Sequence, residues 1–338
     1  MLQYLDSYEK ASRIINVMQS KTDDLILITG RANIRLAKDI AKILGKEEYL
    51  DNPISQFSDG ELRIKIPHNL RQRHVVIIQS MSMPVNDSIM ELILLIDAVK
   101  RSSAREITAL IPYFGYSRQD RKEMPRVPIS ASVIAGIIQY AGADRIITVD
   151  IHSEQQQGFV KMPWDNLYGS YALLPIIKKR KLDNLIVASP DKGGVPRATK
   201  FAQFLGADGV AIVFKERDLS INNNSEAFDM IGDVMGKNVL LVDDMIDTGG
   251  SITKAASLIK QRGAKTVRAV AIHGLFSGDA LRKIVDSPLD EVIITDTISH
   301  REEVVTNPKI IITSVAPLLA EVIRRTQTGE SISKDLIL

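Results

Sequence analysis

The chain contains 338 residues, with 43 lysines and arginines against 41 aspartates and glutamates. It has no cysteine, which excludes a disulfide scaffold, a thiolate zinc site and a cysteine nucleophile. The net charge of +2 argues against a nucleic-acid binder, and no apolar run approaches the roughly 18 residues that cross a bilayer. Domains usually take about 100–200 residues, so this length predicts two. We therefore expect a cytoplasmic protein of two domains with neither a membrane nor a nucleic acid as partner.

Short apolar runs rich in β-branched residues alternate with helical patterns along the chain. Apolar residues at helical spacing predict helices at Asp87–Arg101 and Ile252–Arg262, and a similar pattern predicts a terminal helix within residues 1–22. Strands that are apolar on both faces and separated by helices indicate parallel sheets, so the predicted class is α/β. The predicted strands are Leu25–Thr29, His74–Gln79, Ile107–Pro112, Arg145–Asp150, Leu185–Ser189, Val210–Phe214, Val239–Val242, Val267–Ile272 and Glu291–Thr295.

The segment Lys161–Tyr171 is the best candidate for the junction between the domains, since it contains Pro163 and the only tryptophan of the chain. Each half of the chain contains a strand that ends in an acidic group and is followed by a loop. These strands are Ile146–Asp150 in the first half and Val239–Asp243 in the second. The correspondence suggests a duplicated fold.

The strongest chemical signal is Val239-Leu-Leu-Val-Asp-Asp-Met-Ile-Asp-Thr-Gly-Gly-Ser251, which runs from a buried strand through an acidic turn into a helix. The N–H groups of residues 248–251 and the positive end of the helix can form a phosphate-binding nest. Asp243 and Asp244 would repel phosphate, but they suit sugar hydroxyls or a magnesium ion on a sugar. The loop therefore predicts a phosphorylated sugar as ligand. The alternative is an ordinary turn with solvated acids, although carboxylates at a strand end need partners.

Four further strings accompany this loop: Phe57-Ser-Asp-Gly-Glu61, Tyr113-Phe-Gly-Tyr-Ser-Arg-Gln-Asp-Arg-Lys122, Asp150-Ile-His-Ser-Glu-Gln-Gln-Gln-Gly-Phe159 and Ser189-Pro-Asp-Lys-Gly-Gly194. In this order and spacing they resemble the ribose-phosphate diphosphokinase family, also called phosphoribosyl diphosphate synthetases, from about Leu25 to Arg325. Ordinary phosphoribosyltransferases share the acidic loop but lack the Arg-Gln-Asp-Arg and Asp-x-His-x-x-Gln strings. The resemblance is therefore specific.

The resemblance implies two tandem phosphoribosyltransferase-like (Rossmann-like) domains, each a mainly parallel sheet flanked by helices. We expect an ATP-side domain with the oligomer contacts at residues 1–163 and a ribose 5-phosphate domain at 164–316. A helix at 317–338 would pack back on the first domain. The implied reaction transfers the diphosphoryl group of ATP to the 1-hydroxyl of ribose 5-phosphate, giving 5-phosphoribosyl 1-diphosphate and AMP for nucleotide biosynthesis. The resemblance also implies a homo-oligomer, a hexamer built from dimers.

The resemblance assigns the site residues position by position. Ribose 5-phosphate would be bound by Asp243, Asp244, Asp247, Thr248, Gly249, Gly250 and Ser251. ATP would be bound by Arg118, Gln119 and Arg121, and by Phe57, Asp59, Gly60 and Glu61 on a loop that reaches a neighbouring subunit. Mg²⁺ would be bound by His152 and Asp191. We expect Lys215 and Arg217 to be catalytic, closing over the triphosphate on a mobile loop.

Phosphoryl transfer accounts for several of these residues apart from the resemblance. The protein mainly positions groups and neutralises spreading charge, and Arg118, Arg121 and Lys122 supply a local excess of positive charge. Each string alone also has a simpler interpretation. Arg-Gln-Asp-Arg-Lys is typical of a solvated turn and Phe-Ser-Asp-Gly-Glu of a hairpin. His152 alone is typical of a satisfied interior histidine, and Mg²⁺ prefers oxygen ligands.

Two segments depart from the family pattern. Lys215-Glu-Arg217 continues as Asp218-Leu-Ser-Ile-Asn-Asn-Asn-Ser225, where many members have a more basic stretch. Glu-Met-Pro-Arg126 also replaces a more basic segment, which leaves control by phosphate and ADP open. Two other functions stay open as well. The altered loop would suit a catalytically silent homologue with a regulatory role, and a phosphoribosyltransferase would use the acidic loop but leave Arg118 and His152 without a role.

Overall fold

The structure is a computed structural model that describes residues 24–216 and 227–333. Their contacts form two compact units, one from the residues up to Tyr168 together with those from Ala316 onward, and one from Gly169–Val315. The helix predicted within residues 1–22 lies outside the described residues. Over the described ranges, no helix is both long enough and apolar enough to cross a membrane.

The first unit is built on a parallel sheet. Its elements up to Tyr168 are β1 (Leu25–Thr29), α1 (Ile34–Leu44), β2 (Leu50–Asp51), β3 (Ile54–Gln56), β4 (Leu62–Ile64), β5 (His74–Ile78), α2 (Val85–Arg101), β6 (Glu106–Ile111), α3 (Ser130–Ala141), β7 (Arg145–Val149) and β8 (Trp164–Leu167). The sheet order is β2-β1-β5-β6-β7-β8, and all neighbours are parallel. Strands β3 and β4 form a separate antiparallel pair.

The second unit has a larger sheet. Its elements are α4 (Ser170–Lys179), β9 (Leu185–Ser189), α5 (Val195–Leu205), β10 (Gly209–Glu216), β11 (Ala227–Ile231), β12 (Asn238–Ile246), α6 (Gly250–Gln261), β13 (Thr266–Gly274), α7 (Ala280–Asp286), β14 (Glu291–Thr295), α8 (Glu302–Val305) and β15 (Ile310–Thr313). The order is β11-β10-β9-β12-β13-β14-β15, and only β10 and β11 pair antiparallel. The last helix, α9 (Ala316–Thr328), belongs to the first unit and packs against α1.

The predicted α/β class with mainly parallel sheets flanked by helices is confirmed. Every residue of β1, β5 and β9 is buried, because these central strands have packed layers on both faces. In the first unit, Leu92, Leu95 and Ile96 of α2 join the same buried cluster as Ile77 of β5. Each predicted strand is present, with the predicted ends for Leu25–Thr29, Leu185–Ser189 and Glu291–Thr295 and with shifted ends for the others. The short strands β2, β3, β4, β8, β11 and β15 were not predicted.

Loops that follow the carboxyl ends of neighbouring parallel strands lie at one edge of a sheet, where ligands bind in α/β folds. In the first unit, β6 leads into residues 112–129 and β7 into residues 150–159. In the second unit, β9 leads into residues 190–194 and β12 into residues 247–249. Each sheet therefore brings two of the sequence strings together at its carboxyl edge.

Candidate active site

Asp243 and Asp244 lie within strand β12, so the prediction of an acidic turn after Val242 is wrong. The strand continues because its pairing with β13 extends as far as Ile246 opposite Gly274. Asp244 is buried, and its backbone N–H donates to Asp243 Oδ1 at 2.9 Å. Backbone pairing thus holds two adjacent carboxyl groups at the end of a rigid strand.

The surroundings of Asp243 favour its protonated form. Burial raises the pKa of Asp243 well above its usual range, and the charge of Asp244 and a hydrogen bond between the two side chains raise it further. Arg197 on α5 partly offsets this rise in pKa, whereas Asp191 adds to it. Neighbouring carboxyls do not both ionise readily, so Asp243 holds its proton to a higher pH than an isolated aspartate does. Such a pair can exchange hydrogen bonds with the hydroxyl groups of a bound sugar.

Residues 247–249 connect β12 to helix α6, and Gly249 makes this connection possible. Its φ of 74° lies in the left-handed region, and a Cβ at this position would be 3.3 Å from the Ala280 carbonyl oxygen. Gly250 and Ser251 form the first turn of α6, and no side-chain hydrogen bond caps this helix in the described part of the chain. The N-terminal N–H groups of a helix have no partner within the helix, so this end suits an anion.

The carbonyl groups of Ile246, Asp247 and Thr248 face the segment 275–283, whereas that of Gly249 accepts from Thr253 within α6. The N–H groups of Leu275 and Phe276 donate to the Ile246 oxygen at 2.9 and 3.2 Å, and that of Ser277 donates to the Asp247 oxygen at 3.0 Å. Lys283 Nζ donates to the Thr248 oxygen at 3.2 Å. In a trans peptide the N–H points opposite to the C=O. The N–H groups of residues 247–249 therefore point away from the segment 275–283.

The β9 loop carries Asp191 as an exposed carboxylate. Its Oδ1 accepts a hydrogen bond from the Gly194 N–H at 2.9 Å, and Ser189 Oγ donates to the Asp191 carbonyl at 2.6 Å. A Cβ on Gly194 would lie 2.5 Å from Ser189 Oγ, so the turn requires glycine there. The Nζ of Lys192, the next residue, lies 5.6 Å from the Phe214 ring centroid.

In the first unit, the β6 loop carries Arg118, Gln119 and Arg121, and all three side chains are exposed. The Gln119 N–H donates to the Tyr116 carbonyl at 2.9 Å, and Ser130 Oγ donates to Gln119 Oε1 at 2.6 Å. Gln119 is thereby joined to the start of α3. The loop presents cations on a backbone that is held at both ends.

The β7 loop carries His152, which is exposed rather than buried in the interior. The preceding turn is fixed by the Ile151 N–H, which donates to Asn166 Oδ1 at 3.0 Å. Strands β6 and β7 are neighbours, and Gln156 Nε2 donates to the Ser117 carbonyl at 2.8 Å. The structure thus joins the His152 loop to the Arg118 loop through a residue that the sequence analysis did not single out.

The string Phe57–Glu61 forms the turn between β3 and β4. The Phe57 N–H donates to the Glu61 carbonyl at 2.8 Å, and the Glu61 N–H donates to Asp59 Oδ1 at 3.0 Å. Gly60 has a φ of 96°, as the turn requires. The Phe57 side chain is 51% exposed, and both acidic residues are exposed as well. The hairpin interpretation is correct, and the turn presents an aromatic ring and two carboxylates to solvent.

The two residues expected to be catalytic are only partly covered. Lys215 lies in β10, and its backbone pairs with that of Phe228 in β11. Arg217 lies outside the described residues.

No group of three or more histidine, aspartate or glutamate residues that could hold a metal ion occurs in the part of the chain that the structure describes. His152 belongs to the first unit and Asp191 to the second. Magnesium is usually bound by one or two carboxylates together with substrate phosphates. An exposed carboxylate such as Asp191 can therefore serve as a magnesium ligand without a full set of protein ligands around it.

Arg197 is a further residue that the sequence analysis missed. It lies in the first turn of α5, where a positive charge is unfavourable because the N-terminal end of a helix is itself positive. A cation in the first turn of a helix is the sequence signal that could have identified Arg197. In the structure its charge lowers the pKa of Asp243.

Known proteins resemble this chain over most of its length. Residues 25–142 match the family model described as the N-terminal domain of ribose phosphate pyrophosphokinase, and residues 213–336 match the phosphoribosyl synthetase-associated domain. The chain is 48% identical over 307 residues to ribose-phosphate pyrophosphokinase of Campylobacter jejuni, covering 91% of this chain and 97% of that protein. It is 48% identical over 314 residues to the protein of the same name from Vibrio parahaemolyticus, covering 92% and 98%. The crystal structure of phosphoribosylpyrophosphate synthetase from Mycobacterium smegmatis superposes with a TM-score of 0.84 at 37% identity, covering 90% of this chain and 99% of that one.

Proposed function

The chain belongs to the ribose-phosphate pyrophosphokinase family, and we propose from the two sheet edges how its residues carry out the family's reaction. In this reaction the 1-hydroxyl oxygen of ribose 5-phosphate forms a bond to the β-phosphorus of ATP. The bond between the β-phosphorus and the oxygen bridging to the α-phosphorus breaks, AMP leaves with that oxygen, and the hydroxyl proton is released. The products are 5-phosphoribosyl 1-diphosphate and AMP.

The 5-phosphate would bind at residues 247–251. The observation that carries this assignment is that the carbonyl groups of residues 246–248 accept hydrogen bonds from the segment 275–283, so the N–H groups of residues 247–249 point the other way. The N-terminal end of α6, which lacks a side-chain cap, adds its partial positive charge. The hydroxyl groups of Thr248 and Ser251, both exposed, can donate two further hydrogen bonds.

The ribose hydroxyls would bind at Asp243 and Asp244. A carboxyl pair that retains a proton can both accept and donate, which matches a pair of neighbouring hydroxyl groups. Arg197 limits the rise in the pKa of Asp243 and so favours its charged, accepting form. The rigid strand β12 fixes the distance between this pair and the phosphate position.

ATP would bind on the first unit. The cations Arg118 and Arg121 suit the triphosphate, and Gln119 can donate to it or to the base. The Phe57 ring, which is 51% exposed, suits stacking on adenine, and Asp59, Gly60 and Glu61 suit the ribose and the exocyclic amine. We propose that the hairpin serves a neighbouring subunit, within a hexamer built from dimers. Such stacking would also cover an aromatic ring that is costly to leave in water.

We propose a divalent cation, Mg²⁺, with His152 and Asp191 as its protein contacts. When bound, the cation would neutralise charge on the transferred diphosphoryl group. Lys215 and Arg217 would add positive charge to the same group as the transfer proceeds. We also propose a cytoplasmic location.

The proposal is tested by incubating the purified chain with ATP, Mg²⁺ and ribose 5-phosphate and measuring AMP. We expect AMP and 5-phosphoribosyl 1-diphosphate in equal amounts. A silent regulatory homologue would give no AMP with or without added phosphate, and a phosphoribosyltransferase would instead consume 5-phosphoribosyl 1-diphosphate with a nucleobase. Lys215→Ala should lower kcat by at least about a hundredfold, as loss of a transition-state charge contact does. A kcat within a few-fold of the unsubstituted chain would contradict the role of Lys215.

A further inference from the structure

Gln156 is a buried amide in a short turn whose other residues are exposed or half-buried. It lies in the short 3₁₀ turn Glu154–Phe159 after strand β7, and its side chain is 0% exposed. Its Nε2 donates to the carbonyl oxygen of Ser117 at 2.8 Å, and Ser117 is itself only 3% exposed. The two residues are 39 positions apart, so this bond joins two separate loops.

The position of the accepting carbonyl is informative. The chain is buried from Tyr113 through Gly115 and again at Ser117, and it becomes exposed at Arg118. Ser117 is therefore the last buried point before the cations that we assign to ATP. In the described part of the chain, Gln156 is the donor to this carbonyl, and no second one is found. The bond fixes the backbone from which Arg118 and Gln119 project.

Packing alone does not account for a glutamine here. Gln156 Oε1 is buried without a hydrogen-bond partner among the described residues. An unpartnered buried amide oxygen lowers stability, whereas an apolar side chain of similar size would fill the same space without that cost. Retention of a polar group at a cost in stability is typical of residues that serve a site.

We propose that Gln156 is a positioning residue for ATP. By its bond to the Ser117 carbonyl, Gln156 fixes the position of Arg118 and Gln119 relative to the loop that carries His152. His152 lies four residues before Gln156 in the chain. Cations on one loop and a metal contact on the other must meet the same triphosphate, so a fixed spacing between the loops lowers the cost of binding it. This inference rests on the proposed binding of ATP at Arg118 and Gln119.

The test compares Gln156→Met with Gln157→Met. Methionine keeps the length of the side chain but cannot donate. Gln157 is half-buried in the same 3₁₀ turn, and its Nε2 donates only locally, to the Glu154 carbonyl at 3.1 Å. In Gln156→Met we expect the KM for ATP to rise about tenfold, the worth of one buried hydrogen bond, while the KM for ribose 5-phosphate stays within about twofold. Gln157→Met should leave both KM values within about twofold.

A second readout does not depend on ATP. Trypsin can cut after Arg118, Arg121 and Lys122, so its rate of cleavage reports the freedom of the loop. We expect Gln156→Met to be cut there about tenfold faster than the unsubstituted chain, although its melting temperature is no lower. Gln157→Met should be cut at the unchanged rate. If Gln156→Met does not fold, Gln156→Leu supplies the same loss of a donor.

The outcomes test the positioning role of Gln156 separately from the binding of ATP at Arg118 and Gln119. Unchanged cleavage in Gln156→Met overturns the positioning role, whatever the kinetics. Faster cleavage with an unchanged KM for ATP also overturns it, provided that Arg118→Ala raises that KM. If Arg118→Ala leaves the KM for ATP unchanged, the assignment of ATP to this loop is itself wrong.

Discussion

Replacing Gly249 with alanine perturbs the phosphate site at a single point. Gly249 ends the connection between β12 and α6 with a φ of 74°, and an added Cβ would lie 3.3 Å from the Ala280 oxygen and 3.4 Å from the Ala280 Cα. The left-handed conformation costs a non-glycine residue about 1–2 kcal/mol. The close contact requires a further shift of a few tenths of an ångström, which moves the first N–H groups of α6 away from the phosphate.

The matched control is Gly236→Ala. Gly236 has a φ of 68°, and nothing lies within 4 Å of an added Cβ. Both variants should therefore lose about 1–2 kcal/mol of unfolding free energy from the backbone conformation. Only Gly249→Ala should weaken hydrogen bonds to the phosphate. A charged hydrogen bond contributes about 1.5–3 kcal/mol, so we expect the KM for ribose 5-phosphate to rise by about 10- to 100-fold.

The assay combines urea unfolding with steady-state kinetics for both substrates. We expect the KM for ATP to stay within about twofold in both variants, because the perturbed atoms belong to the ribose 5-phosphate side. If Gly249→Ala and Gly236→Ala gave the same KM for ribose 5-phosphate, residues 247–251 would not be the phosphate site.

Three further predictions concern single residues. Burial, together with the charges of Arg105 and Arg145, lowers the pKa of His74 to about 4. In the unfolded chain this histidine binds its proton below about pH 6.5, so about 3 kcal/mol of unfolding free energy should be lost as the pH falls from 6.5 to 4. Urea titrations of His74→Gln should lack that part of the loss. Lys309 Nζ donates to the carbonyls of Val285 and Ser287 at 2.7 and 2.9 Å at the end of α7, so Lys309→Met should cost about 1–3 kcal/mol in urea unfolding, and an unchanged midpoint would show that these bonds contribute nothing. Asp243→Asn removes one of two neighbouring buried carboxyls, so the melting temperature should rise while the KM for ribose 5-phosphate increases at least about tenfold; a lower melting temperature would mean that the pair is not repulsive.

The sequence predicted the central strands and the parallel class because their apolar runs are long and bounded by helical patterns. It placed the end of β12 at Val242, since aspartates are poor strand residues, yet pairing with β13 carries the strand through Asp243 and Asp244 to Ile246. The pairing of β12 with β13 thus outweighs the low strand preference of aspartate, at the two residues that we propose bind the ribose hydroxyls. Short strands such as β2, with Leu50 and Asp51 only, carry too little pattern to be predicted.

Some residues of the candidate site can be read from the sequence, and others become visible only in the fold. Residues that form contiguous strings, such as 247–251, could be proposed as a site from the sequence because the string itself has the chemistry of a phosphate nest. Gln156 could not, since its proposed role comes from a bond to the Ser117 carbonyl, 39 positions away. Arg197 offered only the sign of a cation in the first turn of a helix, since its effect on Asp243 comes from the fold. Lys283 is a third such residue, because its bond to the Thr248 carbonyl joins positions 35 apart.

A crystal structure of the chain with ribose 5-phosphate tests the central claim most directly. We predict the 5-phosphate within about 2.7–3.2 Å of the N–H groups of Gly249, Gly250 and Ser251, and the ribose hydroxyls within the same range of Asp243 and Asp244. A sugar phosphate bound instead at Arg118 and Arg121, or with its phosphate turned away from the start of α6, would contradict the account.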